Sequence, residues 1–572
     1  MTEFPLSSTT AADDAHFEAS SSSSSSSPSH LPHPSSNPTL SYWLTTSSPP
    51  SSRYGVYSGS DIADDLTVSV AIIGSGITGV SLAYHLLQHP QLATSYINSI
   101  AVFEAREFCS GATGRNGGHL TPVSALAYLD LASNPAHLSR HIDATDSTLT
   151  ETTPQNRTDN VIRRILTLEQ RTATDLITLV QEATLQKQRA TDGDKDEEWE
   201  DVQLANKKNW HVCFSAAEEV AFEASLEAAT QAGLSDFVRL IRKVSKEECD
   251  QALNRPVDVQ CAFEIPGSTL HPRRLVALLW RLAFRRSSAC GKDRQVSLEM
   301  YTHTPIERIS YPHSVSPSST STLHTVQGQK IQARFVIHAT NAYVSHLAPQ
   351  LAGPKHGIVP TRAQCIAALP AATQTWEMGI SLHSGYEYLH QRPLASPPSS
   401  PSASAGEGKN MAPPPPLIFG GGRYLSDTME YGISDDGSVH PTISHFLRSY
   451  LPSTFPRTFS SSSSTSAVPL LAPVSHEWTG IIGMSRSKDP LVGPLPALSS
   501  SPFSSQDEAG RSRVKQHYVS AGYSGHGMTR AFACAQIIAD MVLADDRGQL
   551  GKWTVPDWFP ACYLTMLPSA PV

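Results

Sequence analysis

The stretch "SVAIIGSGITGVSLAYHLLQH", Ser69 to His89, decides the fold. Val68 to Ile73 is an unbroken, β-branched apolar run, the pattern of a strand buried on both faces. Gly74-Ser75-Gly76-Ile77-Thr78-Gly79 follows, and helical periodicity then runs through Val80, Ala83, Tyr84 and Leu87. The three glycines have separate tasks. Gly74 permits the tight turn, Gly76 lets the backbone approach a pyrophosphate, and Gly79 lets the helix pack on the strand. The backbone N–H groups of this turn and the positive end of the helix face phosphates. A second strand, "SIAVFEA", ends in Glu104 about 25 residues after Gly79, where a carboxylate hydrogen-bonds ribose hydroxyls. GxGxxG alone is a weak signal; the strand, turn, helix, strand and acid together make a dinucleotide site. NAD and FAD both fit this unit.

The next residues narrow the choice. Directly after Glu104-Ala105-Arg106 comes "EFCSGATGRNGGHLTP" instead of another βα repeat. This small-residue loop carries Ser110, Gly111, Ala112, Thr113, Arg115, Asn116, Gly117, Gly118 and His119. Such a loop can press its backbone against a flat ring system, with its amides and Arg115 meeting phosphate or flavin oxygens. About 450 residues further on, "HYVSAGYSGHGMTRAFACAQIIADMV" makes a second strand-to-helix turn through Gly522, Tyr523, Ser524, Gly525, His526, Gly527, Met528 and Thr529. Two glycine-rich turns, one near each end of the chain, suit one long ligand.

Composition bounds the rest. The chain has 572 residues and a formal net charge of -9, which argues against non-specific nucleic-acid binding. The eight cysteines include no CxxC pair, so neither a zinc site nor a disulfide framework is expected, and no metal ligand set is assigned. A reducing, intracellular and cytoplasmic setting is the simpler expectation. The first residues lack a secretory pattern, the last three are not a peroxisomal tripeptide, and no run of ~18 apolar residues predicts a membrane span. Residues 1–36 are Ser/Pro-rich and are expected to be a disordered tail; 37–66 form an arm in which Tyr42, Trp43 and Leu44 tie down to the body. Ser/Pro tracts at 312–323, 394–416, 459–467 and 499–512, and an acidic tract at 192–201, read as exposed insertions. Strand patterns fall at Val68–Ile73, Ile100–Glu104, Phe335–Ala339, Gln364–Leu369, Leu417–Gly420 and Tyr518–Ala521. Helix patterns fall at Gly79–Gln88, Thr158–Ala183, Ala216–Ala232, Pro272–Arg285 and Thr529–Ala544. Elements that both alternate and cluster indicate an α/β nucleotide domain interleaved with an α+β domain.

With these motifs on the page, the sequence resembles the D-amino-acid oxidase superfamily of FAD-dependent oxidoreductases. Within it, the chain is most similar to the glycine and sarcosine oxidase branch, and "SGATGRNGGH" is closest to gamma-glutamylputrescine oxidase and its fungal homologues. The resemblance covers roughly residues 37–545. It implies a Rossmann-like FAD-binding domain (about 67–130, 300–345 and 515–545) interleaved with a substrate domain having a mixed or antiparallel sheet (about 150–299 and 356–498). A tail would follow at 546–572. "MYTHTPIERI" resembles a strand pair whose turn, around Pro305 and Ile306, lies against the adenine; "FVIHATNAY" would place Ala339, Thr340 and Asn341 near FAD. "YEYLHQRP" and "LIFGGGRY" resemble paired strands over the reactive face of the flavin. A helix N-terminus after Gly527 would favour the anionic reduced ring.

The implied reaction is oxidation of a C–N bond at a CH–NH or CH–NH2 donor, with O2 as acceptor and a small-molecule amine as substrate; the cofactor carries the redox step. Dehydrogenase or scaffold readings stay open. Relatives place an arginine after the tryptophan equivalent to Trp478, where it clamps a substrate carboxylate; here that place falls on or near Ile482, which favours a larger or less acidic amine. His119 and His526, each after a glycine, are candidates to polarise the ring or contact substrate. Tyr386 and Tyr388 flank Glu387 on one expected strand and would share a face walling an amine pocket. Arg423 is read as an anion contact or a solvated charge, and Cys365 and Cys534 as buried apolar residues rather than flavin attachment points.

Overall fold

The computed structural model describes residues 15–19, 32–134, 137, 154–189, 199–205, 208–289, 295–312, 319–355, 357–371, 376–393, 414–460, 469–497, 504–506 and 512–565. The acidic tract and most of the Ser/Pro tracts lie outside these residues.

The glycine-turn strand Thr67–Ile73 sits at the centre of a parallel array. Its neighbours on one side are Ser99–Phe103, then Ser297–Thr302, then Val56–Ser58; on the other are Lys330–His338 and Ser512–Ala521. Val70, Ala71 and Ile72 are fully buried, as the apolar run requires. Antiparallel strands extend the edge: Ser321–Thr325 with Ile306–Ser310 beside Lys330–His338, and Leu491–Pro496 beside Ser512–Ala521. Ser321 and Leu323 are thus a buried strand, not part of an insertion. Ser297–Thr302 and Ile306–Ser310 belong to different regions of this sheet and do not pair, contrary to the strand pair expected around Pro305.

Helices Ile77–Gln88, Pro272–Ala289 and Gly527–Asp546 pack on one another over this sheet, and Pro154–Arg189 packs against Gly527–Asp546. Pro154–Arg189 and Pro272–Ala289 therefore belong to the nucleotide side, although the sequence assigned 150–299 to the substrate part. Their apolar faces (Ile165, Leu168, Leu275, Leu279) share one core with Val80 and Leu86, each such side chain contributing about 1.5–3 kcal/mol on burial. Gly527–Asp546 is the one helix among the described residues long and apolar enough to cross a membrane; it is the central core helix here, largely buried by protein.

The second sheet runs Val474–Ser485, Ile358–Ala368, Leu417–Gly420, Glu387–Gln391, Gly379–Leu382, Lys208–Cys213, Cys261–Pro266 and Arg242–Val244. It is antiparallel except where Gly379–Leu382 meets Lys208–Cys213 in parallel. Helix Pro441–Thr454 covers it through Ile443, Leu447 and Leu451. The interleaved α/β and mixed-sheet architecture is the one the sequence indicates.

Both expected tails are partly built into the body. Residues 15–19 form a helical turn with Phe17 buried, and 32–36 run past Arg106 and His346 along the cavity. Phe559, Cys562, Tyr563 and Leu564 are core residues, because "WFPACYL" carries too much apolar surface to stay in water. The arm behaves as expected: Trp43 is fully buried, and its Nε1–H donates to the Asn116 carbonyl at 2.7 Å.

Candidate functional site

The two sheets face each other across one continuous cavity of about 1880 Å³. Its floor at one end is the first glycine turn. Gly74 has φ +111°, and a Cβ there would lie 2.7 Å from the Ala339 carbonyl oxygen. A Cβ on Gly79 would lie 2.0 Å from the Gly74 carbonyl oxygen, so the third glycine is fixed by helix-on-strand packing. The Ile77 N–H donates to Thr113 Oγ1 at 3.1 Å, tying this turn to the small-residue loop. Glu104 Oε2 accepts from the Ser75 N–H (3.0 Å) and hydroxyl (2.8 Å), and Oε1 from the Arg106 N–H (3.0 Å).

The two glycine turns meet directly. The Thr78 hydroxyl donates to Tyr523 Oη at 3.2 Å, and Tyr523 Oη is 2.7 Å from Ser520 Oγ. Asn341 joins them, its Oδ1 accepting from the Gly522 N–H at 2.9 Å. Among the sequence-named residues, Gly74, Gly76, Ile77, Thr78, Glu104, Ala105, Arg106, Gly111, Ala112, Thr113, Arg115, Asn116, Gly117 and His119 border the cavity. So do Pro305, Ile306, Ala339, Thr340, Asn341, Tyr386, Tyr388, Tyr523, Ser524, Gly525, His526, Gly527, Met528 and Thr529. Ser75, Gly79, Ser110, Gly118 and Gly522 stand behind the wall; Gly118, at φ +74°, packs on Trp43.

Several side chains are placed otherwise than the sequence suggests. Arg115 is held in the protein: its Nε donates to the Ser110 carbonyl (2.8 Å), its Nη1 to those of Thr39 (2.8 Å) and Thr479 (2.9 Å), and Asp436 lies 3.3 Å away. Burial lowers its pKa to about 10 although Asp436 works against the shift. Tyr386 has helical backbone before the strand begins at Glu387, so it does not alternate with Tyr388; both still reach the cavity because the chain turns there. Tyr388 lies against Gly117 and contacts Cys365 Sγ at 3.2 Å. Cys365 and Cys534 are buried outside the cavity wall. Ile482, on or near which the resemblance would put an arginine, borders the cavity; Arg486 also borders it and is 59% exposed. Arg423 donates to the Met429 carbonyl and lies over the Tyr431 ring.

His119 borders the cavity, and burial lowers its pKa to about 4 although the backbone of Gly117 and Leu389 works against the shift. His526 is half exposed, with Nδ1 3.6 Å from Glu169. Sequence reasoning missed Glu169 and its fully enclosed pair Arg530 (2.7 Å), which also bind Val123, Thr529 and Lys488 around the second turn. Although burial opposes the charge, Arg530 and His526 hold the Glu169 carboxyl well below the usual range. A charged Glu169 among the buried, mostly apolar positions of Pro154–Arg189 (Ile162, Ile165, Leu166, Leu176) was the available signal. Missed too was Asp436, which receives Arg106 and Arg115; Trp478, named in the sequence only as a reference point, donates its Nε1–H to the Arg115 carbonyl at 2.8 Å. Among the described residues, no group of three or more His, Cys, Asp or Glu is arranged to hold a metal ion.

A glycine cradle at a helix N-terminus, a ribose-height carboxylate and a cavity running on to a second sheet define a nucleotide-dependent oxidoreductase. Arg115 Nη2 and Thr340 Oγ1 are buried without hydrogen-bond partners among the described residues and belong to residues lining this cavity, which fits a bound polar cofactor. Residues 69–541 match the family described as FAD dependent oxidoreductase (DAO), and the chain belongs to that family, with FAD as its cofactor. Solved structures share the fold. Glycine oxidase from Bacillus cereus ATCC 14579 has a TM-score of 0.51 at 14% identity, over 84% of this chain and 95% of that one. L-amino acid deaminase from Proteus vulgaris, with its specific insertion sequence deleted, has 0.51 at 13%, over 90% and 98%. Iminodiacetate oxidase from Chelativorans sp. BNC1 has 0.50 at 15%, over 88% and 100%. No curated protein matches the chain in sequence.

Proposed function

We propose that this FAD-dependent oxidoreductase oxidises the C–N bond of an amine or amino-acid-like substrate, passing hydride to FAD and electrons on to O2. The observation that carries this reading is the single cavity: it begins at the Gly74–Gly79 turn, passes the Gly111–Gly117 loop and ends against Tyr386, Tyr388 and Ile482 of the second sheet. The first turn and Glu104 hold the pyrophosphate and ribose. Thr340, Asn341 and the 111–117 loop would flank the ring system. The N-terminus of Gly527–Asp546 borders the cavity and would favour negative charge at the ring edge. Bound FAD supplies the two-electron acceptor.

The protein's own contribution is to orient the amine and keep it neutral. Tyr386 and Tyr388 wall the pocket. With a pKa of about 4 from burial, His119 is a neutral imidazole near pH 7 and adds no charge beside the pocket. Ile482 in place of a carboxylate clamp, together with the "SGATGRNGGH" loop, supports substrates of the gamma-glutamylputrescine oxidase kind. An anaerobic screen of polyamine derivatives, sarcosine and D-amino acids against the flavin absorbance tests this. Bleaching by an amine is expected, with peroxide on admitting air; bleaching without peroxide makes the protein a dehydrogenase, and no bleaching by any amine overturns the proposal.

A further inference from the structure

The cavity continues past Tyr388 along the second sheet into a polar niche. Tyr388 is paired with Ser381 on the next strand, and Ser381 with His211 on the one after. All three residues border the cavity, so this cross-strand row forms its wall. Neighbouring strands lie about 4.8 Å apart, which puts Ser381 roughly 5 Å and His211 roughly 10 Å from Tyr388. Asn209 stands behind the wall with no exposure, and its Nδ2 donates to Ser381 Oγ at 3.0 Å. The Ser381 O–H is thereby left to donate into the cavity. A Cβ on Gly379, the residue paired with Asn209, would lie 2.6 Å from Asn209 Oδ1 and 3.2 Å from His119 Nε2, so polar atoms converge where this position carries no side chain. Asn209 Oδ1 and His211 Nδ1 are buried without hydrogen-bond partners among the described residues. Beyond His211 the wall turns apolar: Phe222 lies edge-on to its ring at 5.8 Å, and Phe222 and Leu126 border the cavity.

We infer that this niche is a subsite for an uncharged carboxamide carried by the substrate, with the Ser381 hydroxyl donating to its carbonyl oxygen and His211 Nδ1 accepting from its N–H. Burial, helped by His119, lowers the His211 pKa to about 4, so the imidazole is neutral near pH 7. With its proton on Nε2, Nδ1 is an acceptor. A carboxamide supplies both an acceptor and a donor. A carboxylate has no N–H for His211 Nδ1. An ammonium finds no spare carboxylate in Glu218, which borders the cavity but accepts from the Phe214 and Ser215 N–H groups at 2.6 and 3.1 Å. A plain alkyl chain leaves the buried polar atoms unpaired, which is how a site built for hydrogen bonds rejects an analogue lacking them. The spacing from Tyr388 calls for a few carbons between the amine and the carboxamide. This inference rests on the Proposed function in taking the amine to lie beside Tyr388.

The test compares N-acetylputrescine with n-heptylamine, which has the same chain length and lacks the carboxamide. In full-length holoprotein under anaerobic conditions, each dissociation constant is read from the perturbation of the oxidised flavin spectrum, or from the concentration dependence of bleaching where the ligand bleaches. N-acetylputrescine is expected to bind roughly tenfold more tightly, the gain that one or two net hydrogen bonds provide. His211→Phe and Ser381→Ala are each expected to remove most of that preference, while the n-heptylamine constant and the flavin content stay unchanged. Equal constants for the two ligands in the unmodified protein, or tighter binding of n-heptylamine, would overturn the subsite. So would a preference that survives in both variants. The ranking of the two constants does not need turnover: if no amine bleaches the flavin, the spectral perturbation still reports it, so the two readings fail separately.

Discussion

The two sheets differ in how their order is specified. Around Thr67–Ile73, strand, turn, helix and next strand follow one another within about 40 residues, and Gly79 packs on Gly74 inside the same turn, although Gly74 itself meets Ala339. In the second sheet, Gly379–Leu382 lies between Glu387–Gln391, a local hairpin partner, and Lys208–Cys213, more than 160 residues earlier. Thr67–Ile73 likewise lies between a local strand, Ser99–Phe103, and a distant one, Lys330–His338, so what sets the first region apart is the packing of Gly79 on Gly74 within its own turn. If that contrast is right, cutting a long-range tie costs more than crowding a local turn.

The largest effect is therefore expected at Glu169. It links Pro154–Arg189 to Gly527–Asp546 through Arg530, to the strand-side segment at Val123, and through Arg530 to Lys488 in the turn leading out of the second sheet. Glu169→Ala leaves the Arg530 guanidinium, 4% exposed, without its carboxylate. A loss of about 3–5 kcal/mol is expected in denaturant unfolding, with Glu169→Gln losing less because it keeps acceptors for Val123 and Thr529. A smaller loss than that of the next variant would remove the contrast.

Gly79→Ala crowds the local turn. Its Cβ meets the Gly74 carbonyl at 2.0 Å, backbone against backbone, so the helix must shift off the strand. Overpacking of this kind costs about 1–3 kcal/mol, and FAD content after purification is expected to fall with it, since the shift moves the pyrophosphate cradle. Gly117→Ala offers the matched case on the second-sheet side: its Cβ meets the Tyr388 ring at 2.2 Å, and a side chain yields more easily than backbone.

Buried histidines sharpen the comparison through pH. His338 is in the first sheet and has no exposure; burial lowers its pKa to about 4. The unfolded chain binds its proton near pH 6.5 and the folded one only near pH 4, so the unfolded state gains protons first as pH falls. The associated stability is complete above pH 6.5 and is lost as pH drops towards 4, by an amount of about 1–3 kcal/mol. His338→Phe is expected to make the stability profile shallower over that window, the remaining slope coming from His517, 3.4 Å away, and the other buried imidazoles; an unchanged slope would show that His338 is not kept neutral.

Legibility follows the same division. The strand ends at Ile73 and Phe103 and the helix end at Gln88 were readable to within a residue, because glycine and acid positions punctuate them. Tyr386 was misplaced because alternation says which residues share a face only once the strand's first residue is known, and Glu387 begins it. Arg115 looked like a free ligand donor because its partners Thr39, Thr479 and Asp436 come from three distant segments. The packed termini were hidden by composition: Ser/Pro dominance masks a single anchoring ring such as Phe17, although "WFPACYL" advertised its burial. Helix Pro441–Thr454 carries Pro452 in its last turn, a residue that ordinarily marks a break.

The smallest expected change in stability carries the finest information about the cofactor. Gly111 has extended backbone, φ -79° and ψ -154°, which alanine adopts freely, and a Cβ there meets nothing within 4 Å. Unlike Gly79 and Gly117, it has no structural neighbour that demands glycine; it faces only the cavity. Gly111→Ala is therefore expected to leave unfolding free energy unchanged or raise it by about 0.4–1 kcal/mol through the unfolded chain. If the loop backbone lies against FAD, the added methyl occupies the space the ring system needs, and the FAD dissociation constant rises in a titration of apoprotein while the fold holds. An unchanged FAD affinity would mean that the loop owes its glycine at this position to neither packing nor cofactor, and would move the flavin contact to the Gly117 end, where Tyr388 closes the wall.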